Sequence, residues 1–103
     1  MTNNSTSRLV IIDGHTDYVL SLDSTGRSFF EESEIGHVDL PRAQRGRVGA
    51  MLSAVFVPND LVPQHALSTT LRLTDRLKRL VAESNGRMAL IRNYDQLVGC
   101  LDD

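Results

Sequence analysis

His15 and Asp17 are the residues of this chain whose types and spacing most favour metal chemistry. They follow a short apolar run, residues 9–12, and a glycine, Gly14. Alternate residues of an extended strand point to the same face, so the imidazole and the carboxylate are predicted to converge where the strand ends. Both groups are ligands of Zn²⁺. By the same alternation Asp13 falls on the opposite face, where we expect it to support the strand end rather than the metal.

This pair is not a complete catalytic site. Catalytic zinc normally takes three protein ligands and keeps one position for water, so two ligands predict weak binding by the chain alone. The other imidazoles are His37, which begins a second His-x-Asp sequence with Asp39, and His65. We interpret His37 as a capping or hydrogen-bonding histidine, and we expect His65 to be solvent-exposed at the start of a helix.

Apolar runs and helical periodicity indicate the elements that must position this pair. Residues 9–12 and 48–57 are almost continuously apolar and are predicted to be strands covered on both faces. Residues 87–91 are predicted to be a third strand. Residues 64–84 have the periodicity of a helix, which the Asn-Gly pair at 85–86 ends. The predicted apolar stripe of this helix consists of Leu67, Leu71, Leu77, Leu80 and Val81, with Leu73 on its flank.

Shorter segments connect these elements. Residues 18–22 are compatible with a short helix or with an extended exit from the first strand. Pro41 suits the first turn of a brief helix, with Asp39 or Leu40 near the cap position. Asn93 is expected to cap a final helix. The order strand, irregular crossover, strand, helix, strand, helix favours a parallel sheet with right-handed crossovers.

Composition excludes several classes of partner. The chain has 103 residues, of which 41% are hydrophobic, enough for one modest core in residues 9–103. Its 11 basic and 13 acidic residues are interspersed, so no nucleic-acid partner is expected. A small basic cluster is interpreted as a solvated surface, since nothing else in the sequence indicates phosphate binding; it consists of Arg42, Arg45 and Arg47.

The sequence also predicts the cellular compartment of the protein and whether it associates with a membrane. No apolar run approaches the roughly 20 residues that cross a bilayer, so no membrane partner is expected. Residues 1–8 are predicted to be a flexible polar tail without the apolar region of a secretory signal. A single cysteine, Cys100, cannot form an internal disulfide. These features predict a cytoplasmic protein.

Three stretches together resemble a known family. Residues 12–17, Ile-Asp-Gly-His-Thr-Asp, are similar to the opening motif of the membrane (renal) dipeptidase family, zinc peptidases of the amidohydrolase-like barrel group. Thr16 stands where that family usually has an asparagine, which is not a ligand. Residues 37–42, His-Val-Asp-Leu-Pro-Arg, and then residues 46–50 resemble the second block of the family, which residues 53–58 continue, in the right order and spacing.

The resemblance implies an α/β fold built from the N-terminal βα units of a parallel (β/α)8, TIM-like barrel, with about three strands and therefore incomplete. His15 and Asp17 would bind the first of two zinc ions. The bridging glutamate and the remaining ligands would lie beyond Asp103, so the chain would correspond to about the first quarter or third of a family member. The implied activity is hydrolysis of a dipeptide by a metal-activated water, and we expect this chain alone to be inactive.

Two other interpretations of the function of this chain remain open. Three parallel strands taken from a barrel leave two unpaired edges, so self-association or a partner chain that completes the sheet is expected. The chain would then be a non-catalytic remnant that serves as an oligomerising interaction or structural module. A weaker alternative is another metal hydrolase that opens with His-x-Asp, such as a phosphoesterase or a nuclease, against which residues 39–42 argue.

Overall fold

The computed structural model describes residues 9–101, so the tail predicted for residues 1–8 lies outside the described residues. Each of the two strands is followed by two helices within the described residues. In order, the elements are β1 (Ile11–Thr16), α1 (Tyr18–Thr25), α2 (Leu40–Arg45), β2 (Val48–Ser53), a 3₁₀ turn (Asn59–Leu61), α3 (Ala66–Glu83) and α4 (Tyr94–Leu101). Within the described part of the chain, no helix is long and apolar enough to span a bilayer.

The two strands pair in parallel, which confirms a mixed α/β fold with a parallel sheet. Ile12 lies opposite Ala50, Asp13 opposite Met51, and Thr16 opposite Ser53. Between the last two pairs, two residues of β1 therefore stand against one residue of β2, Leu52, which is the geometry of a bulge. A bulge redirects side chains, and this one lies at Gly14 and His15.

The third predicted strand is not present. Residues 87–91 form no strand, and within residues 9–101 the sheet has two strands, so neither three strands nor a closed barrel is observed. The backbone amide of Met88 is instead bound by the Ser84 hydroxyl oxygen at 3.1 Å. An apolar run becomes a strand only where a neighbouring strand supplies ladder partners, and this segment has none in the described chain.

The strand limits also differ from the predicted ones. β1 begins and ends later than the apolar run, because the ladder continues through the polar residues that follow. β2 ends at Ser53 rather than at residue 57. The Ala54 amide still donates to the Thr16 carbonyl at 2.8 Å, after which the chain leaves the sheet. Backbone pairing, not apolar composition, sets these limits.

The core lies where α1, α3 and the crossover between α1 and α2 meet. The rings of Tyr18 and Phe29 stack there with their centroids 4.4 Å apart. The core side chains are Tyr18, Val19, Leu22, Phe29, Leu40, Leu73 and Leu80. Met51 of β2 packs against this core, whereas Ile12 and Leu52 are exposed, so the prediction that both strands are covered on both faces is wrong within the described residues.

The long helix is confirmed, but its predicted apolar stripe is wrong in part. Leu73, predicted on the flank, is 0% exposed, whereas Leu67 and Leu71 are 72% and 61% exposed. The helix is rotated so that Thr69, Leu73, Leu80 and Ser84 face inward. Arg72 pairs with Asp23 of α1 at 3.2 Å, at the edge of this contact. The packing of α3 on α1 therefore selects the buried face, and two leucines remain outside it.

Candidate metal centre

His15 and Asp17 lie together at the carboxyl end of β1. His15 Nε2 is 3.1 Å from Asp17 Oδ1, and the two side chains are 70% and 53% exposed. Both groups are therefore in mutual contact and open to an incoming ion. Their role as metal ligands stays a prediction, which this geometry supports.

The pair converges for a reason other than simple strand alternation. Asp17 is not extended: it has φ −104° and ψ 19°, and it immediately precedes α1. Its carboxylate thus meets His15 because the chain turns from strand into helix directly after a bulge. The Asp13 carboxylate accepts a hydrogen bond from the backbone amide of His15 at 3.0 Å. Asp13 therefore supports the strand end, as we expected.

The donor set fits zinc, although it is incomplete. An imidazole nitrogen and a carboxylate oxygen within contact distance are ordinary zinc ligands. Within residues 9–101, however, no group of three or more histidine, cysteine, aspartate or glutamate side chains is placed to hold a metal ion. The described residues therefore bring together two predicted ligands of such a centre, His15 and Asp17.

A cavity of about 260 Å³ adjoins the pair. Its lining consists of Thr16, Asp17, Tyr18, Ser21, Arg27, Gly36, His37 and Val38. His37 is exposed on the rim of this cavity. The helix-capping role that we considered for His37 belongs to Asp39. His65 is exposed immediately before α3, as predicted.

Asp39 and Arg42 hold one wall of this cavity. The Asp39 carboxylate is fully buried and accepts hydrogen bonds from the amides of Arg42 and Ser33 at 3.0 and 3.1 Å, and from Arg42 Nε at 2.7 Å. Arg42 Nη2 in turn donates to the carbonyls of Ser33 at 2.9 Å and Gly36 at 3.4 Å. The loop between Ser33 and Gly36 is thereby fixed to the start of α2.

These contacts also explain the charge state of Asp39. Burial opposes its ionisation, but the hydrogen bonds from Arg42 and Ser33 together with the guanidinium charge outweigh burial, so the pKa of Asp39 is lowered. Arg45 pairs with Glu32 at 2.7 Å. Arg42 and Arg45 of the basic cluster are thus engaged in ion pairs, and the His-Val-Asp-Leu-Pro-Arg block has a structural role here.

Tyr18 and Ser53 join the carboxyl ends of the two strands. Their hydroxyl oxygens are 2.7 Å apart, and the Tyr18 ring is buried. Burial raises the pKa of the Tyr18 phenol, with the Ser53 hydrogen bond acting in the opposite direction, so the phenol is neutral at pH 7. Neither residue was singled out from the sequence. The sequence signal that could have identified them is their position: Tyr18 follows β1 and Ser53 ends β2, and the carboxyl ends of parallel strands are where such folds place functional groups.

Comparison with known proteins agrees with the sequence motifs. The family model for membrane dipeptidase, Peptidase family M19, matches residues 2–100. The fold is similar to the crystal structure of the dipeptidase AC, a metallo peptidase of family M19, with a TM-score of 0.82 at 22% sequence identity. That similarity covers 92% of this chain, which spans 32% of the matched structure. With the family model matching nearly the whole chain, this protein belongs to the membrane dipeptidase family, Peptidase family M19.

Proposed function

We propose that this chain contributes His15 and Asp17 as zinc ligands to a metal-dependent dipeptidase. The observation that carries the proposal is the 3.1 Å contact between the two exposed side chains at the carboxyl end of β1, in a chain that belongs to a dipeptidase family. Bound zinc would supply a Lewis acid and lower the pKa of a water molecule towards about 7.

The residues of this chain have distinct roles in that site. His15 binds as the neutral imidazole, since a protonated ring has no lone pair to offer. Asp17 supplies an oxygen ligand and offsets part of the ionic charge. Asp13 fixes the backbone of His15 through the 3.0 Å hydrogen bond to its amide. The substrate is a dipeptide whose peptide bond is hydrolysed.

The remaining ligands come from outside the described residues. A catalytic zinc site needs a third protein ligand, and residues 9–101 place two together. The matched dipeptidase extends over about three times the length of this chain. We therefore propose that β1 and β2 are the first strands of a parallel (β/α)8 barrel, and that the rest of the fold completes a two-zinc centre. This chain by itself is then inactive.

Zinc titration tests the ligand assignment directly. Replacing His15 or Asp17 by alanine is expected to weaken zinc binding by about tenfold or more, because each change removes a ligand rather than only a supporting partner. Competition with a fluorescent zinc chelator measures the affinity. The control is His65→Ala, which removes an exposed imidazole away from the pair and is expected to bind zinc like the unchanged chain. Unaltered affinity in both ligand variants would contradict the assignment.

The second candidate is an interaction module, and the exposed sheet favours it. Within residues 9–101 each strand pairs with the other alone, so each has one edge without a neighbour there. Large apolar side chains along the sheet are exposed: Ile12 is 56% and Leu52 is 66% exposed. Such edges and faces pair with other chains unless they are covered.

Association is therefore expected, and a charge on the sheet should reduce it. Leu52→Lys places an ammonium group on an exposed strand position and is expected to shift the chain to monomer. Gel filtration with light scattering over a concentration series measures this change. Leu71→Lys is the matched control, because Leu71 is 61% exposed but lies on α3. A clean monomer of the unchanged chain at high concentration would argue against the prediction.

Two measurements together separate the candidates. Zinc bound at close to two ions per chain, with turnover of a dipeptide, would contradict the proposal that this chain alone is inactive. Absence of both, together with a stable oligomer, supports the interaction module. Bound zinc without turnover fits a chain that holds the ligand pair and needs the rest of the fold.

A further inference from the structure

We propose that the hydrogen bond between Tyr18 and Ser53 positions Asp17 for metal binding, a role that rests on the proposed function. The two hydroxyl oxygens are 2.7 Å apart, and they join the first residue of α1 to the last residue of β2. Neither side chain is a ligand in this proposal. Both act on the metal pair through the backbone of Asp17, which lies between β1 and α1.

The carboxylate of Asp17 does not take the role that its place in the fold favours. Asp17 stands at the N-cap position of α1, where an aspartate ordinarily accepts a hydrogen bond from an amide of the first turn. Within the described residues its side chain makes no such bond, and its Oδ1 lies 3.1 Å from Nε2 of His15 instead. Capping therefore does not fix the carboxylate, and its direction depends on how the backbone of Asp17 is held.

Both neighbours of Asp17 are bound to the carboxyl end of β2. On one side, the Thr16 carbonyl accepts a hydrogen bond from the Ala54 amide at 2.8 Å. On the other side, the Tyr18 phenol is bound to the Ser53 hydroxyl. The single residue between these two bonds belongs to neither β1 nor α1. Its backbone is thus held from both sides, and the bond after it is the one that side chains make.

Tyr18 is suited to this role because packing fixes its ring. The ring is buried and stacks on Phe29, with the two planes inclined by 22°. A group whose side chain is locked by packing holds its neighbours more precisely than a mobile one. A buried hydroxyl also loses free energy when it has no partner, so the bond to Ser53 resists breaking. The position of β2 is thereby transmitted to the residue before Tyr18.

The test compares Tyr18→Phe with Ser84→Ala in the full chain. Tyr18→Phe keeps the ring and its stacking and removes the hydroxyl. Ser84→Ala is the matched control, because the Ser84 side chain is fully buried and its hydroxyl joins the Val81 carbonyl to the Met88 amide at the end of α3. Both changes remove one hydroxyl from a buried side chain and are expected to lower stability in urea unfolding. Only the first breaks a bond beside the metal pair.

Zinc affinity is the first measurement. In competition with a fluorescent chelator, Tyr18→Phe is expected to bind zinc severalfold more weakly than the unchanged chain, because groups that orient a ligand contribute to metal affinity. Ser53→Ala should show the same loss, and the double variant no more than either single one, since all three break the same hydrogen bond. Equal weakening in Ser84→Ala, or losses that add in the double variant, would overturn the proposal.

The second measurement needs no zinc. The backbone order parameter of the Asp17 amide, from ¹⁵N relaxation, is expected to fall in Tyr18→Phe and in Ser53→Ala and to stay unchanged in Ser84→Ala. An unchanged value in Tyr18→Phe would overturn the positioning role whatever the zinc affinity. If His15→Ala and Asp17→Ala bound zinc like the unchanged chain, the ligand assignment would be refuted. The order parameter would then still decide whether this hydrogen bond holds Asp17.

Discussion

The Asp39→Asn variant is expected to lose about 2 kcal/mol of the free energy of unfolding at pH 7, because it weakens the charge-assisted hydrogen bond from Arg42 and sets a buried amide group among N–H donors. Asp39 is 0% exposed and accepts three hydrogen bonds, one of which caps α2. An asparagine retains one acceptor oxygen and loses the charge. The change should also loosen the loop that forms one wall of the cavity.

Urea unfolding followed by circular dichroism measures this loss. The control is Asp75→Asn, which removes the partner of Arg79 on the surface of α3. That pair is exposed on both sides, so the change should alter stability by less than about 0.5 kcal/mol. If both asparagine variants were equally stable, the Asp39 network would not have the structural role that its contacts indicate.

The same carboxylate predicts a pH dependence. The pKa of Asp39 is lower in the folded chain than the ordinary value of about 3.9 in the unfolded chain. Its contribution is therefore fully present above about pH 4 and is lost as the pH falls through the folded pKa. The difference in stability between the unchanged chain and Asp39→Asn should shrink below about pH 4. A difference that stayed constant from pH 7 to pH 3 would contradict the lowered pKa.

Leu73→Ala is expected to cost about 3 kcal/mol of the free energy of unfolding, because it removes a fully buried side chain from the contact between α3 and α1. The lost burial and the cavity left behind both contribute to this cost. Thermal and urea unfolding of the variant measure it.

Leu71→Ala is the matched control on the same helix. Leu71 is 61% exposed, so the same substitution there should change stability by less than about 0.5 kcal/mol. The pair shares the change in side chain and in helix propensity, and it differs in burial. Equal costs at the two positions would contradict the observed burial, and a larger cost at Leu71 would mean that α3 packs with the face predicted from the sequence.

Local sequence signals were sufficient for several elements and for the family. The α3 helix was predicted within two residues at each end, and Asn93 caps α4 through its side-chain oxygen, which lies 2.9 Å from the Gln96 amide. Asp39 caps α2 in the same way. Capping and helical periodicity are properties of a few neighbouring residues, so they can be read along the chain. The family motifs at residues 12–17 and 37–42 are local in the same sense.

Rotation of α3 and the extent of the sheet could not be read in this way. Leu71 and Leu73 are chemically identical, and only the approach of α1 decides that Leu73 is the buried one. Residues 87–91 have strand composition, but a strand also requires a backbone partner, which the described chain does not place beside them. These features depend on contacts between residues far apart in sequence.

The candidate site likewise has features that the local sequence predicts and features that depend on tertiary contacts. The sequence by itself determined which residues are the predicted metal ligands, His15 and Asp17, because ligand chemistry and spacing belong to the local motif. Tertiary structure decided how Asp17 reaches His15 and that Arg27 lies by the same cavity. The physical reason is that a bulge, a turn into helix and a loop held by Arg42 set where these side chains lie. That placement depends on packing and hydrogen bonding between segments that are distant in sequence.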